Sequence, residues 1–330
     1  MEPPISPPSP TAQRATVSGR RTVPFLLRQP RETRGFREAL DDDQALTMLW
    51  IPPGRFWMGS PADEEGRRES EGPRHQVQLQ GFFMGQTPIT QAQWRTVALW
   101  KEREGEQWGR ELDPNPSYFQ PREDGSEGQE VGYGSFALLE EETNADQRPV
   151  DRVSWDNAME FCHRLSQRTS RTYTLPSEAQ WEYACRAGTT TPFAFGDTLT
   201  QELANYDATV SYADGPTGGR LHQTTPVGRY PANAWGLKDM HGNVWEWCLD
   251  HWHKNYGEEN NIEQEKAPDD GSAWLYSESV RNKKRRLLRG GSWGSNPRGC
   301  RSAVRNLDGP VGVNGLVGFR VVCLPQGRST

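Results

Sequence analysis

Near the C-terminal end of this 330-residue chain, Ser292, Ser295 and Cys300 gather two hydroxyls and a thiol in one short stretch. A Ser or Cys becomes a nucleophile when a base activates it, and a thiolate can hold a soft metal. Cys300 therefore reads either as a reactive thiol or as a small buried hydrophobe behind a surface. His241, Cys248, His251 and His253 offer the nitrogen and sulfur donors that zinc takes, at a spacing that matches no standard zinc pattern. HWHKNY reads as exposed loop after a strand. Asp239 and Glu246 add two carboxylates around the word MHGNVWEW, where Glu246 by itself is a strand residue between tryptophans. No G-x-S-x-G elbow, P-loop or dinucleotide fingerprint is present.

Cys300 and the two serines belong to the segment 288–323, LRGGSWGSNPRGCRSAVRNLDGPVGVNGLVGFRVVC. It opens with LRGGSW and closes with GFRVV, both of which read as buried strands. Between them runs a Gly-, Val-, Leu-, Asn-, Asp- and Ser-containing stretch with neither a helical nor a strand period. Two strands around an irregular, partly apolar segment make a scaffold that presents a surface.

The elements that must position this segment are short. LTMLWI at 46–51 reads as a strand, and the PPG turn at 52–54 leads into RFWMGS at 55–60, a hairpin reading. HQVQLQ at 75–80 alternates as a half-buried strand does. Thr90 can cap a helix through Ala92, Trp94 and Val97. A second helix over about 154–169 carries Ala158, Phe161, Cys162 and Leu165 as its buried stripe. In the third, Ser177 and Gln180 form a capping box, Trp181, Ala184 and Cys185 the inner face, and Gly188 the left-handed stop.

Composition agrees with a loop-rich chain. Only 33% of residues are hydrophobic, alongside 13 Trp, 33 Gly and 25 Pro, and mean hydropathy is -0.88. The expectation is one α+β domain with few helices, short strands and long loops, at 43–326. Residues 1–42 read as a disordered or loosely docked leader of the kind that could join an adaptor domain to others. The acidic stretch 120–147 reads as a surface insertion. A net charge of -6 and a pI near 5.7 give no reason to expect nucleic acid, and the basic run RNKKRR at 281–286 reads as solvated. With no apolar span and no export signal, the expected setting is cytoplasmic, with the five cysteines reduced and buried.

The phrases IPPGRFWMGS, PVDRVSWDNAMEFCHRLS, YTLPSEAQWEYACRAG, PFAFGD, TTPVGRYPANAWGLKDMHGNVWEW, LRGGSW and GFRVV resemble the formylglycine-generating enzyme, or sulfatase-modifying factor, family. The resemblance runs from about residue 46 to 325 and implies a C-type-lectin-like α+β fold. Enzymes of that family oxidise a substrate cysteine with Cu(I) and oxygen. Their two copper cysteines follow the GGS strand, the first three positions after the Ser and the second five residues on. Here those positions are Ser295 and Cys300, so one thiolate is replaced by a hard, neutral hydroxyl and copper is not expected. If the chain were an enzyme, Cys300 and Ser292 would be the residues to carry it. The resemblance also implies calcium: one site from Asp239, Glu246 and the carbonyls of Gly242 and Val244, another from Asn205 and the Tyr206 carbonyl. The family's acidic ligand of that other site is Gly219 here.

A narrower resemblance concerns the irregular segment. It is similar to the variable regions of bacterial proteins diversified by retroelements, in which adenine-only changes turn Asn codons into codons ending in a pyrimidine. The fixed words GGSW, CRSA, Arg305, Pro310 and GFRVV match. The Asn-type positions carry Gly294, Ser295, Asn296, Gly299, Val304, Leu307, Asp308, Gly309, Gly312, Asn314, Gly315 and Leu316, with Asn306, Val311 and Val313 among them. Lys, Glu, Gln, Met and Trp, which such codons cannot encode, are all missing from 294–317. A tight Gly-rich loop would avoid long side chains as well. The expected function is therefore non-catalytic binding of a protein or small-molecule ligand at 294–317. A family oxidase is the alternative.

Overall fold

The computed structural model describes residues 32–119, 145–257, 266–276 and 285–325. Most of the expected leader and of the 120–147 insertion, and the start of the basic run, lie outside these residues.

Two antiparallel-rich sheets share the core. The first runs β1 (Gly35–Ala39), β2 (Ala45–Ile51), β5 (Phe82–Gly85), β11 (Val322–Leu324), β6 (Thr172–Thr174) in spatial order. The second runs β10 (Val317–Gly318), β7 (Trp245–His251), β8 (Arg286–Arg289), β9 (Asn306–Asp308), with β10 parallel to β7. A separate hairpin joins β3 (Gly54–Met58) to β4 (His75–Leu79). Side-chain alternation makes each central strand serve two cores. In β2, Leu46 and Met48 enter the core that holds Trp94 and Phe161, whereas Leu49 and Ile51 enter the one that holds Trp181 and Leu287.

The three helices form where local signals place them. Thr90 and Ser177 make full capping boxes with Gln93 and Gln180, and Ser154 accepts from the Asn157 N–H. α1 (Gln91–Ala98) and α2 (Trp155–Thr169) meet through Trp94 stacked on Phe161 at 5.7 Å, with Phe319 edge-on to both rings. Burying Phe161 and Leu165 contributes about 1.5–3 kcal/mol each. α3 (Glu178–Arg186) passes into the left-handed region at Ala187, one residue before the expected Gly188, which is also left-handed.

Three expectations change. β2 and β3 do not form a hairpin across the PPG turn; β2 pairs with β1 and β5, and β3 with β4. Ordered sheet begins before residue 43, because β1 pairs along its length with β2; its sequence, GFREA, is too polar to stand out. GFRVV is split between sheets: Val317–Gly318 joins the second, and Val322 enters the first beside β5 and β6.

Candidate ligand-binding face

The fixed words of the C-terminal segment are anchors made of buried ion pairs. Arg289 of LRGG reaches Glu182, Arg301 of CRSA reaches Glu71 at 2.7 Å, and Arg320 of GFR reaches Glu246 at 2.6 Å. Arg305 takes both oxygens of Glu178. All four guanidiniums are essentially excluded from solvent, so each needs its carboxylate in place. These pairs tie the segment to α3, to β7 and to the loop before β4.

Between the anchors the chain rises to the surface. Gly290 and Gly291 have φ of 99° and 78°, a region open to glycine at little cost. A Cβ on Gly291 would also come 2.5 Å from Cys300 Sγ. The Ser292 N–H then donates to Ser295 Oγ at 3.0 Å, and the two hydroxyls are 3.1 Å apart. Asn296 Oδ1 accepts from the Gly299 N–H and caps a short 3-10 turn, Pro297–Cys300. Farther on, Asn314 accepts the Arg152 and Val317 N–H groups on its carbonyl. Trp293 Nε1 donates to the Gly315 carbonyl at 3.2 Å, so the two ends of the face are joined.

The expected face residues divide by burial. Gly294, Asn296, Val311, Val313 and Asn314 are exposed, with Val311 at 74% and Val313 at 54%. Ser295, Asn306, Leu307, Asp308, Gly309, Gly312, Gly315 and Leu316 are half-buried. Gly294 borders Leu316, which brings the 294–296 and 306–316 patches together. Two residues do not belong to the face. Val304 is fully buried in the Trp94 core, and Gly299 is buried against Ser295. Asn306–Asp308, expected to be irregular, pairs with β8 as β9.

The face has supports that the sequence did not single out. Phe119 packs edge-on against Trp293 at 5.7 Å and against Tyr118 at 4.9 Å. Asp151, fully buried, accepts the Tyr118 N–H at 2.9 Å. The word PVDRVSW held a signal for it, since an acidic residue between two buried valines must find a partner.

Copper does not fit here. Ser295 Oγ is engaged by Ser292, and Cys300 is buried with its thiol pushed well above the ordinary range by that burial. Zinc fares no better. His241 has both ring nitrogens engaged, Nδ1 with the Cys300 carbonyl and Nε2 with the Ala194 N–H. His251 Nδ1 accepts from Tyr276, and His253 stacks on Trp274 at 3.6 Å. No group of three or more His, Cys, Asp or Glu among the described residues is arranged to hold a metal.

The calcium sets differ from each other. Both oxygens of Glu246 are taken by Arg320 and one also by Trp181 Nε1, while the Gly242 carbonyl accepts from Val244. A guanidinium supplies the positive charge at Glu246, while Asp239 of the same expected set keeps Oδ1 buried without a hydrogen-bond partner among the described residues. At the other set, Asn205 keeps Oδ1 buried without a hydrogen-bond partner. Asn205, Tyr206 and Leu221 line a cleft of about 380 Å³ together with Glu202 and Arg229. Those oxygens suit a hard cation.

Comparison with known proteins matches this arrangement. Residues 36–324 fit the model of the sulfatase-modifying factor enzyme 1-like domain. The chain is 30% identical to the serine/threonine-protein kinase pkn1 of Chlamydia caviae over 301 residues, 90% of this chain but 41% of that relative. It thus spans about two fifths of the kinase's length. It is 28% identical to the formylglycine-generating enzyme of Streptomyces coelicolor, covering 88% of this chain and 90% of that enzyme. Among solved structures, PvdO from Pseudomonas aeruginosa superposes with a TM-score of 0.62 at 28% identity, over 90% of this chain and 100% of that one. Treponema denticola variable protein 1 gives 0.60 at 22% identity, over 88% and 99%. The α+β architecture is the C-type-lectin-like fold of the formylglycine-generating-enzyme type. With a family match running from β1 to β11, the chain belongs to the sulfatase-modifying factor enzyme 1-like family.

Proposed function

We propose that the protein is a non-catalytic binder whose face at 294–317 is diversified by a retroelement. The observation that carries this reading is the division of labour within the segment. Residues of the fixed words are buried and ion-paired, whereas most of the Asn-type positions are exposed or half-exposed. A binding face gains contact area from exposed Val311 and Val313 while a preorganised backbone keeps the ordering cost low. The fold shared with the Treponema variable protein supports the reading. The ligand is a protein or a small molecule met at this face.

The alternative is a family oxidase, favoured by the similarity to formylglycine-generating enzymes. Ser295 and the buried Cys300 weigh against it. Purified protein given Cu(I) and a cysteine-containing substrate peptide should consume no oxygen and form no aldehyde; turnover would overturn the binding reading. For diversification, the decisive observation is a nearby repeat of the segment that differs only at adenines, beside a reverse-transcriptase gene. Calcium is proposed only for the cleft at Asn205 and Tyr206.

A further inference from the structure

Beneath the variable face lies a carboxyl with half of its hydrogen-bonding capacity unused. Asp151 is fully buried, ahead of the Ser154 cap of α2. Its Oδ1 accepts the Tyr118 N–H at 2.9 Å, and its own N–H donates to Ser117 Oγ at 3.1 Å. Among the described residues its Oδ2 is buried without a hydrogen-bond partner. Gly315 of the variable loop lies directly against this group. A Cβ added there would sit 3.8 Å from Asp151 Oδ1 and 3.5 Å from Tyr118 Cβ.

The residue after Asp151 holds the same turn. Arg152 adopts a φ of 58°, uncommon for a side-chain-bearing residue, and its N–H donates to the Asn314 carbonyl at 3.1 Å. One short segment thus ties the fixed strip 117–119 to the variable turn 314–316. Phe119 against Trp293, and Trp293 on the Gly315 carbonyl, close the ring of contacts.

We propose that Asp151 is a positioning residue of the binding face, that its ionisation loosens the 117–119 strip and the 314–316 turn, and that the residue at 315 sets the pH of this change. Its consequence for ligands rests on the binding reading above; the loosening itself requires no ligand. Burial pushes the Asp151 carboxyl up to about 7, against the Tyr118 N–H and the charges of Arg152 and Arg148. Those two arginines, on its own segment, are the charged groups facing it among the described residues. Arg148 is turned toward Thr224 and Gln223, and Arg152 is exposed. The strip contributes the Ser117 hydroxyl and the Tyr118 backbone and ring, and the variable loop contributes the backbone of Gly315.

When neutral, the carboxyl costs less to bury than when ionised. When ionised, a single N–H cannot compensate a buried charge, and the bare oxygen needs a donor. Glycine at 315 has none to offer, so the contacts above it must open to admit water. A serine or asparagine at 315, both within the adenine-accessible set, would carry a second donor toward Oδ1, the oxygen 3.8 Å from the built Cβ, and stabilise the ionised form in the closed state. The backbone there permits this, because Gly315 is not among the left-handed glycines and its built Cβ meets only ordinary contacts.

The test is amide hydrogen exchange of Tyr118, Arg152 and Val317 in the full chain, on either side of neutrality, corrected for the intrinsic pH dependence of exchange. Protection should fall by up to about tenfold per pH unit from the ordinary carboxylate range up to the midpoint, and level off above it. Asp151→Asn should show no step, and Gly315→Ser should move the step to lower pH. A wild-type profile without a step, or a step that persists in Asp151→Asn, would overturn the proposal. Should Asp151→Asn not fold, the carbon-13 titration of the Asp151 carboxyl in the wild type decides: its midpoint must coincide with the pH at which the fall in protection levels off. A protein with the step that binds nothing through 294–317 would refute the binding reading and leave this one intact.

Discussion

Arg305 grips Glu178 through two parallel hydrogen bonds, Nε to Oε1 at 2.7 Å and Nη2 to Oε2 at 3.1 Å, with both residues out of solvent. The pair joins the first turn of α3 to the middle of the C-terminal segment. Tyr256 adds a hydrogen bond to Oε1 at 3.0 Å, and the Arg305 guanidinium lies over its ring at 4.3 Å. A fork of this kind fixes direction as well as distance.

Arg305→Ala leaves Glu178 charged, buried and short of its partner. We expect a loss of about 3–5 kcal/mol in urea unfolding at unchanged m-value. Replacing both residues by leucine should cost much less. A single substitution within about 0.5 kcal/mol of wild type would show that the pair does not anchor the segment.

Tolerance to change should follow burial along 294–317. Val311→Asn and Val313→Asn alter exposed side chains and should shift stability by less than about 0.5 kcal/mol. Val304→Asn places an amide in the Trp94 core and should cost about 2–3 kcal/mol. Thermal melts of the three variants check this, and equal effects at 304 and 311 would contradict the division between core and face.

Stability should fall as pH rises from the ordinary histidine value through about 7. Burial raises Asp151 and Asp250 to about 7, the latter with help from Glu178, and burial raises Asp239 to about 6. Their stabilising contribution is complete below the unfolded carboxylate range and is lost as pH climbs through these values. His241 and His251 act in the opposite sense. Burial, reinforced at His251 by Arg286, lowers both to about 4, so their contribution is present above the ordinary histidine value and lost on acidification. Burial also raises Glu64 and also lowers His75 and His222, so acids and histidines oppose each other up to the ordinary histidine value, above which the acids act alone. Melting temperatures across this range measure the balance; a maximum on the alkaline side of neutrality would contradict it.

Calcium, if held in the cleft at Asn205 and Tyr206, should stabilise the fold modestly. At ten times its dissociation constant the gain is about 1.4 kcal/mol. Asn205→Ala should abolish the effect of added calcium on the melting temperature. A melt that does not respond to chelation and calcium return would remove the cation from this cleft.

What the sequence by itself determined was local. The three helices follow from Thr90, Ser154 and Ser177, whose caps act on N–H groups three residues away, and from apolar stripes one turn apart. The substitution of Ser295 for a cysteine was equally legible, since it needs only the spacing from GGS. Pairing between distant strands was not. LTMLWI and RFWMGS look like a hairpin because they are adjacent and separated by a turn, yet β2 lies between two cores and pairs with β1 and β5. Position 304 looks like its variable neighbours until the fold turns it inward. Asp151 and Gly315 are far apart in the chain, and no periodicity links them. Only tertiary structure brings that carboxyl under that glycine, because the charge and packing of a buried group depend on every segment that closes over it.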